Sequence, residues 1–132
     1  MTDNEVPFSL DEVGAISNES FKGDFKVKKA LSFRESLQKD QIRRDLLGDT
    51  NGSPASYEAQ EYATMLSELR IRLVDPPAWW KEANNGAELR DENVLLKVWS
   101  ETVAIVNAFL ESKKAAVEAA RKKLADEVKS NA

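Results

Sequence analysis

The chain has no cysteine and no histidine. The first absence removes a disulfide framework and any thiolate metal site. The second removes the commonest general base and the commonest transition-metal ligand together. No run approaches the ~20 consecutive apolar residues that a membrane span needs. The opening Met-Thr-Asp-Asn-Glu is polar and acidic, unlike the basic start and apolar run of a secretory signal, so the expected location is the cytoplasm. The formal net charge of −4 and a pI of about 5.0 weigh against a general nucleic-acid binder, which needs a basic field.

What is present reads as one domain, since 132 residues leave little for a second core. Residues 1–8 read as a polar tail. Ser9-Leu10-Asp11-Glu12 has the form of a capping box and predicts a short helix over 10–19 with Leu10, Val13 and Ile16 on one side. Phe25 and Val27 then alternate with Lys26 and Lys28, a period of two that predicts one short β element at about 21–31. Its pairing partner is either a nearby extended segment, with 69–74 as a candidate, or another chain. Ser32-Phe33-Arg34-Glu35 is a second capping box. It opens a helix carrying Phe33, Leu37, Ile42, Leu46 and Leu47, closed by Gly48. After a loop at 48–53, Ser53 and Pro54 start an amphipathic helix of about 54–74 that must stop before Pro76.

The stretch from Asp75 to Asn93 organises the rest. It holds two of the three tryptophans and two of the four prolines, and it ends a helical turn at Asn84-Asn85-Gly86. Asp91 is the expected cap of a last helix with a broad apolar stripe from Val94 to Leu110. From Glu111 onward alanines alternate with charges, and the helix is expected to run to about 127. The expected fold is mainly α: a small helical domain over 9–110 with one short β element, a long C-terminal helix and a charged Ala-rich extension over 111–132.

Catalytic readings are thin. Asp11-Glu12, Asp91-Glu92 and Asp126-Glu127 are adjacent pairs, and neighbours on a helix diverge. They also sit where helix starts favour acids. The loop at Gly48–Ser53 lacks a Walker lysine. Asp49, Asn51 and Ser53 alternate, but the glycine is misplaced for a calcium loop and Gln60 stands where its glutamate belongs. Lys22, Lys26, Lys28 and Lys29 with Phe21 and Phe25 offer a nucleic-acid reading, against the plainer one of a solvated strand face. No catalytic residue, cofactor or metal is assigned. Trp79-Trp80 is the strongest interaction candidate. Neighbours on a helical turn point ~100° apart, so one ring is expected on the 54–74 helix and the other at the surface. Pro77, Trp79, Trp80, Phe25 and Val27 are the expected partner-binding residues. On the last helix Leu110, Val117, Leu124 and Val128 form a thin seam, suited to a weak coiled coil.

The order of segments is similar to a known group. Phe21-Lys22-Gly23-Asp24-Phe25-Lys26-Val27-Lys28 is followed by Leu31-Ser32-Phe33-Arg34-Glu35 and Ile42-Arg43-Arg44-Asp45-Leu46-Leu47-Gly48. A long helix then ends in Leu73-Val74-Asp75-Pro76-Pro77-Ala78-Trp79-Trp80, ahead of Asn85-Gly86, Leu89, Asp91 and Asn93-Val94. Over about residues 8–110 this resembles small proteins of tailed-bacteriophage structural and assembly modules, the tail assembly chaperone group among them. The resemblance implies a non-enzymatic role in the host cytoplasm, binding the tape measure protein while the tail tube polymerises. Two alternatives stand beside it: a virion structural component of tail, neck or capsid, and a small acidic regulator of a host protein. A protein partner and a homo-oligomer are both compatible with it; a membrane is not invoked.

Overall fold

The computed structural model describes residues 3–48 and 54–131. The loop around Asp49, Asn51 and Ser53, and with it the expected cap at Ser53, lies outside the described residues. In chain order the elements are β1 (Glu5–Val13), β2 (Ser20–Lys28), α1 (Phe33–Leu47), α2 (Tyr57–Arg72), β3 (Leu73–Val74), α3 (Ala78–Glu82) and α4 (Glu92–Ser130).

The mainly α expectation is corrected. The fold is α+β, built on a three-stranded antiparallel sheet of order β1-β2-β3. The expected β element is the central strand, and both partners come from the same chain. The expected helix over 10–19 is instead the end of β1 and its turn into β2. Val6, Phe8 and Leu10 alternate with Glu5, Pro7 and Ser9, and Phe8 pairs across from Phe25 with the rings stacked 5.0 Å apart. The Ser9 hydroxyl, read as a cap, donates to Asp24 Oδ1 on the neighbouring strand. Pro7 is tolerated because β1 is an edge strand. Leu73 and Val74 supply the other edge, pairing with Val27 and Lys26.

The inward face of β2 carries Phe21, Phe25 and Val27, and these join Leu10, Leu69, Leu73, Trp80, Val94, Leu95 and Val98 in one core. α2 is tied to the end of β2 by Arg72, whose guanidinium donates to the carbonyls of Lys28 and Lys29 at 2.7 and 3.0 Å while Nε pairs with Glu68. Helix α2 opens at Ser56, whose hydroxyl accepts from the Ala59 amide.

α1 follows the second capping box as expected. The Ser32 hydroxyl accepts from the Glu35 amide and the Glu35 carboxylate accepts from the Ser32 amide. Yet α1 has no buried residue, because it packs along α2 on the side away from the sheet. Phe33 is 92% exposed and Leu37 is exposed too. Two ion pairs tie it to its neighbours: Lys28 to Glu35 at 2.6 Å and Lys39 to Glu68 at 2.7 Å. The Lys28 ammonium, then the Ser32 amide, hold the Glu35 carboxyl down from 4.5 to about 2. A depressed carboxyl stabilises the fold above its unfolded value and loses that contribution as pH falls through the folded one. Helical circular dichroism should therefore decline as pH falls from about 4.5 toward 2. A Glu35→Gln variant should show a flatter profile in that window, and identical profiles would remove the pair from α1 anchorage.

α4 runs 39 residues without a break, about 58 Å at 1.5 Å per residue. Val94, Leu95, Val98 and Thr102 are buried against the body, whereas every residue from Leu110 to Asn131 is exposed. The helix contains a stretch apolar enough by length and composition to cross a membrane. About 22% of that stretch is buried in the body.

Candidate functional site

Asp75 to Asn93 proves to be the closure of the core. Asp75 turns the chain with φ +47°, and α3 starts at Pro77 with no side-chain cap. Asn84, Asn85 and Gly86 all have positive φ, which ends the turn where the sequence placed its stop. Trp80 is 0% exposed, edge-on to the rings of Phe25 and Trp79 at 5.7 and 6.1 Å. Gly86 makes its seat: a Cβ there would stand 2.6 Å from the indole. Trp79 is half-buried, packs on Phe21 at 5.0 Å, and donates from Nε1 to the Lys22 carbonyl at 2.8 Å. Pro77 lies half-buried against Gly23 of β2.

Of the five expected partner-binding residues, Phe25, Val27 and Trp80 are therefore in the interior. Only Pro77 and Trp79 reach the surface, and Trp79 lines a shallow depression with Phe21 and Leu89. The reason is the unforeseen hairpin. Once β1 and β2 form a sheet, its inner face must be covered, and both rings of α3 serve that purpose. The lysine run is also partly spent within the fold. Lys28 pairs with Glu35, and the Lys29 ammonium lies 5.3 Å from the Phe109 ring centre.

Asp91 stands at the head of α4, but its side chain makes no helix cap. Its carboxylate reaches back to the β1–β2 turn, accepting the amides of Ile16 and Ser17 at 2.7 and 2.9 Å and the Ser17 hydroxyl at 2.7 Å. Asn93 completes the tie, its Oδ1 accepting from the Ala15 amide and its Nδ2 donating to the Val13 carbonyl. The Ser17 amide and hydroxyl, then the Ile16 amide, hold the Asp91 carboxyl below the usual range. At Glu68 burial pushes upward, but hydrogen bonds from Lys39 and Arg72 outweigh it and the net direction is down. Asp91 and Glu68 each have structural partners that account for the shift. Among the described residues no cluster of three or more acids could hold a metal ion.

The surface that offers a binding geometry lies between α2 and α4. α4 carries more apolar residues than its buried face uses. Trp99, Val103 and Val106 flank that face and remain half-exposed. With Glu68, Arg72, Thr102 and Asn107 they line a cleft of about 180 Å³. Trp99 is also the far wall of a second hollow of about 430 Å³, lined from α2 by Tyr57, Gln60, Glu61, Thr64 and Met65. The two hollows meet at Trp99, and their lining is mixed, with Tyr57, Met65, Val103 and Val106 among polar and charged residues of α2 and α4. Glu61 stands in the second hollow and draws a hydrogen bond from the Tyr57 hydroxyl, which raises that phenol's pKa.

Sequence reasoning placed Trp99 in the core stripe and passed over Tyr57 and Met65. The signal available was the width of the α4 stripe. Leu95, Val98 and Thr102 occupy one face, and Trp99, Val103 and Val106 form a second row that one packed face cannot cover. Comparison with protein-family models, with curated proteins and with solved structures finds no match.

Proposed function

We propose that the chain is a non-enzymatic assembly protein that takes an amphipathic helix of a partner into the α2–α4 groove. In biological terms we read it as a tail assembly chaperone of a tailed bacteriophage, working in the host cytoplasm with the tape measure protein as client. The observation that carries this reading is Trp99, a large half-exposed ring shared by two adjoining hollows between α2 and α4. Such a groove between two helices suits a helix laid in with apolar residues three and four apart. Aromatic anchors of this kind dominate binding energy at helix-in-groove interfaces. α2 offers 16 residues, about 24 Å or four turns, as a bed. The client's flanks should be basic. Residues 1–110 carry −6, being the whole-chain −4 less the +2 of residues 111–132 (six basic, four acidic).

The test uses the whole chain and synthetic helices from the tape measure protein. Thr64 is exposed within the groove. Thr64→Arg should weaken binding at least tenfold while leaving the melting midpoint unchanged. Unaltered affinity would dismiss the groove as the site. The projecting half of α4 favours the virion-component alternative as the second reading. Stoichiometric recovery of the chain from purified virions would replace the chaperone reading with it.

A further inference from the structure

The turn after α3 carries a chemistry that the fold does not use. Two asparagines of the chain precede a glycine, Asn51 and Asn85. Asn85 lies among the described residues, and Asn84, Asn85 and Gly86 have φ of +52°, +56° and +90°. Residues with a Cβ adopt this left-handed conformation at a cost. Hydrogen bonds close the turn around Asn85 without holding it. The Glu88 amide donates to the Ala83 carbonyl at 2.9 Å, and the Ala87 amide donates to the Asn84 carbonyl at 3.3 Å. Among the described residues the Gly86 amide has no acceptor and the Asn85 side chain has no hydrogen-bond partner. The side-chain amides of Asn4 and Asn93, by contrast, are bonded at both oxygen and nitrogen. Asn85 is half-exposed, so water reaches it.

We propose that Asn85 is a site of spontaneous deamidation, and that its conversion to isoaspartate loosens the closure of the core. The Gly86 nitrogen gives its proton to hydroxide and attacks Cγ of Asn85. A bond from that nitrogen to Cγ forms and the Cγ–Nδ2 bond breaks. Nδ2 takes a proton from water and leaves as ammonia, which restores the hydroxide. The product is a five-membered succinimide, which one water then opens. Opening at Cγ leaves an aspartate in an ordinary backbone. Opening at the main-chain carbonyl leaves an isoaspartate, with the chain running through Cβ and Cγ. Either way one water is consumed, one ammonia is released and a carboxylate replaces a neutral amide, so the net charge goes from −4 to one unit more negative. Isoaspartate adds a methylene to the main chain where the chain lies against Trp80. A Cβ on Gly86 would already stand 2.6 Å from Cη2 and 2.7 Å from Cζ2 of that indole. Trp80 is 0% exposed, and a close-packed interior registers a change of one methylene. The turn therefore acts as a timer on the core, set by the age of the chain. This inference does not rest on what binds between α2 and α4.

The test holds the full-length chain in warm, mildly alkaline buffer and follows it by peptide mapping and calorimetry. Asn18 and Asn84 are internal references, since they share the positive φ but precede Glu19 and Asn85. With no Cβ beside the attacking nitrogen, Asn85 should convert at least about tenfold faster than either. Conversion no faster than theirs would overturn the site. The isoaspartyl form, separated by its extra charge, should melt several degrees below the unaltered chain. The separated forms make this comparison without any substitution. An isoaspartyl form that melts like the unaltered chain would overturn the link to Trp80. Asn85→Gln cannot close the five-membered ring, so its melting midpoint, whatever its starting value, should hold through the same incubation. A midpoint that drifts in this variant as fast as in the unaltered chain would also overturn the proposal.

Discussion

Replacing Trp80 by alanine is expected to cost about 3–5 kcal/mol, a large part of the ~5–15 kcal/mol that holds a domain of this size together. The indole is wholly buried and touches both halves of the fold: Phe25 from the sheet and Trp79 from its own turn, with Gly86 beneath it. The neighbours cannot collapse into the space, because the strands fix Phe25 and the positive-φ turn fixes residues 84–86. The melting midpoint should fall by about 10–20 °C, measured by calorimetry. Trp80→Phe should cost far less. It keeps a ring in place and removes an indole N–H that is buried without an acceptor, a group whose desolvation is unfavourable. Trp79→Ala should fall between them, losing the bond to the Lys22 carbonyl and the contact with Phe21. Should Trp80→Ala melt like the unaltered chain, α3 would not be the closure of the core.

Asp91→Ala is expected to release the β1–β2 turn. The carboxylate is the acceptor for two amides and one hydroxyl of that turn. Removing it leaves the amides of Ile16 and Ser17 to water or to nothing. Gly14 is fitted to it, since a Cβ at that position would stand 2.4 Å from the carboxylate carbon. Amide hydrogen exchange should rise at Ile16 and Ser17 first, then along β1, while α2 stays protected. The thermal midpoint should fall as well. Asp91→Asn should rescue part of the loss, because one amide oxygen still accepts. Acidification should imitate the variant, since the contribution of a depressed carboxyl is present above its unfolded value and lost as pH falls through the folded one. Unchanged exchange at Ile16 and Ser17 in Asp91→Ala would show that the turn holds itself.

The helices were legible because their signals are local. The box at Ser32 and Glu35, the three- and four-residue spacing from Ala59 to Leu73 and the stripe of α4 each need only neighbouring residues. β1 was not legible, because Ser9-Leu10-Asp11-Glu12 fits two local patterns equally well. It is a capping box by residue type, and Leu10 extends the alternation of Val6 and Phe8 by position. The choice depends on a remote fact, that Phe25 needs Phe8 across from it. The misread hairpin also changed how Trp79 and Trp80 were read. Without the hairpin there was no sheet face for Trp79 and Trp80 to cover, so their apolar area looked available. Trp99 was read as part of the α4 stripe and does pack against the core, but it stays half-exposed. A stripe on a sequence does not say how completely a small body can bury it.

The tie between Asp91 and the turn at Ile16 spans 75 residues of chain. During synthesis at roughly 5–20 residues per second, the turn therefore waits about 4–15 s for its acceptor. The hairpin can begin to pair early, since its strands are adjacent, but until then its inner face has neither Trp80 nor α4 to cover it. The N-terminal quarter of the molecule is thus made first and secured last. In a crowded cell, that interval is when a nascent chain with Leu10, Phe21 and Phe25 uncovered is most open to the wrong neighbour.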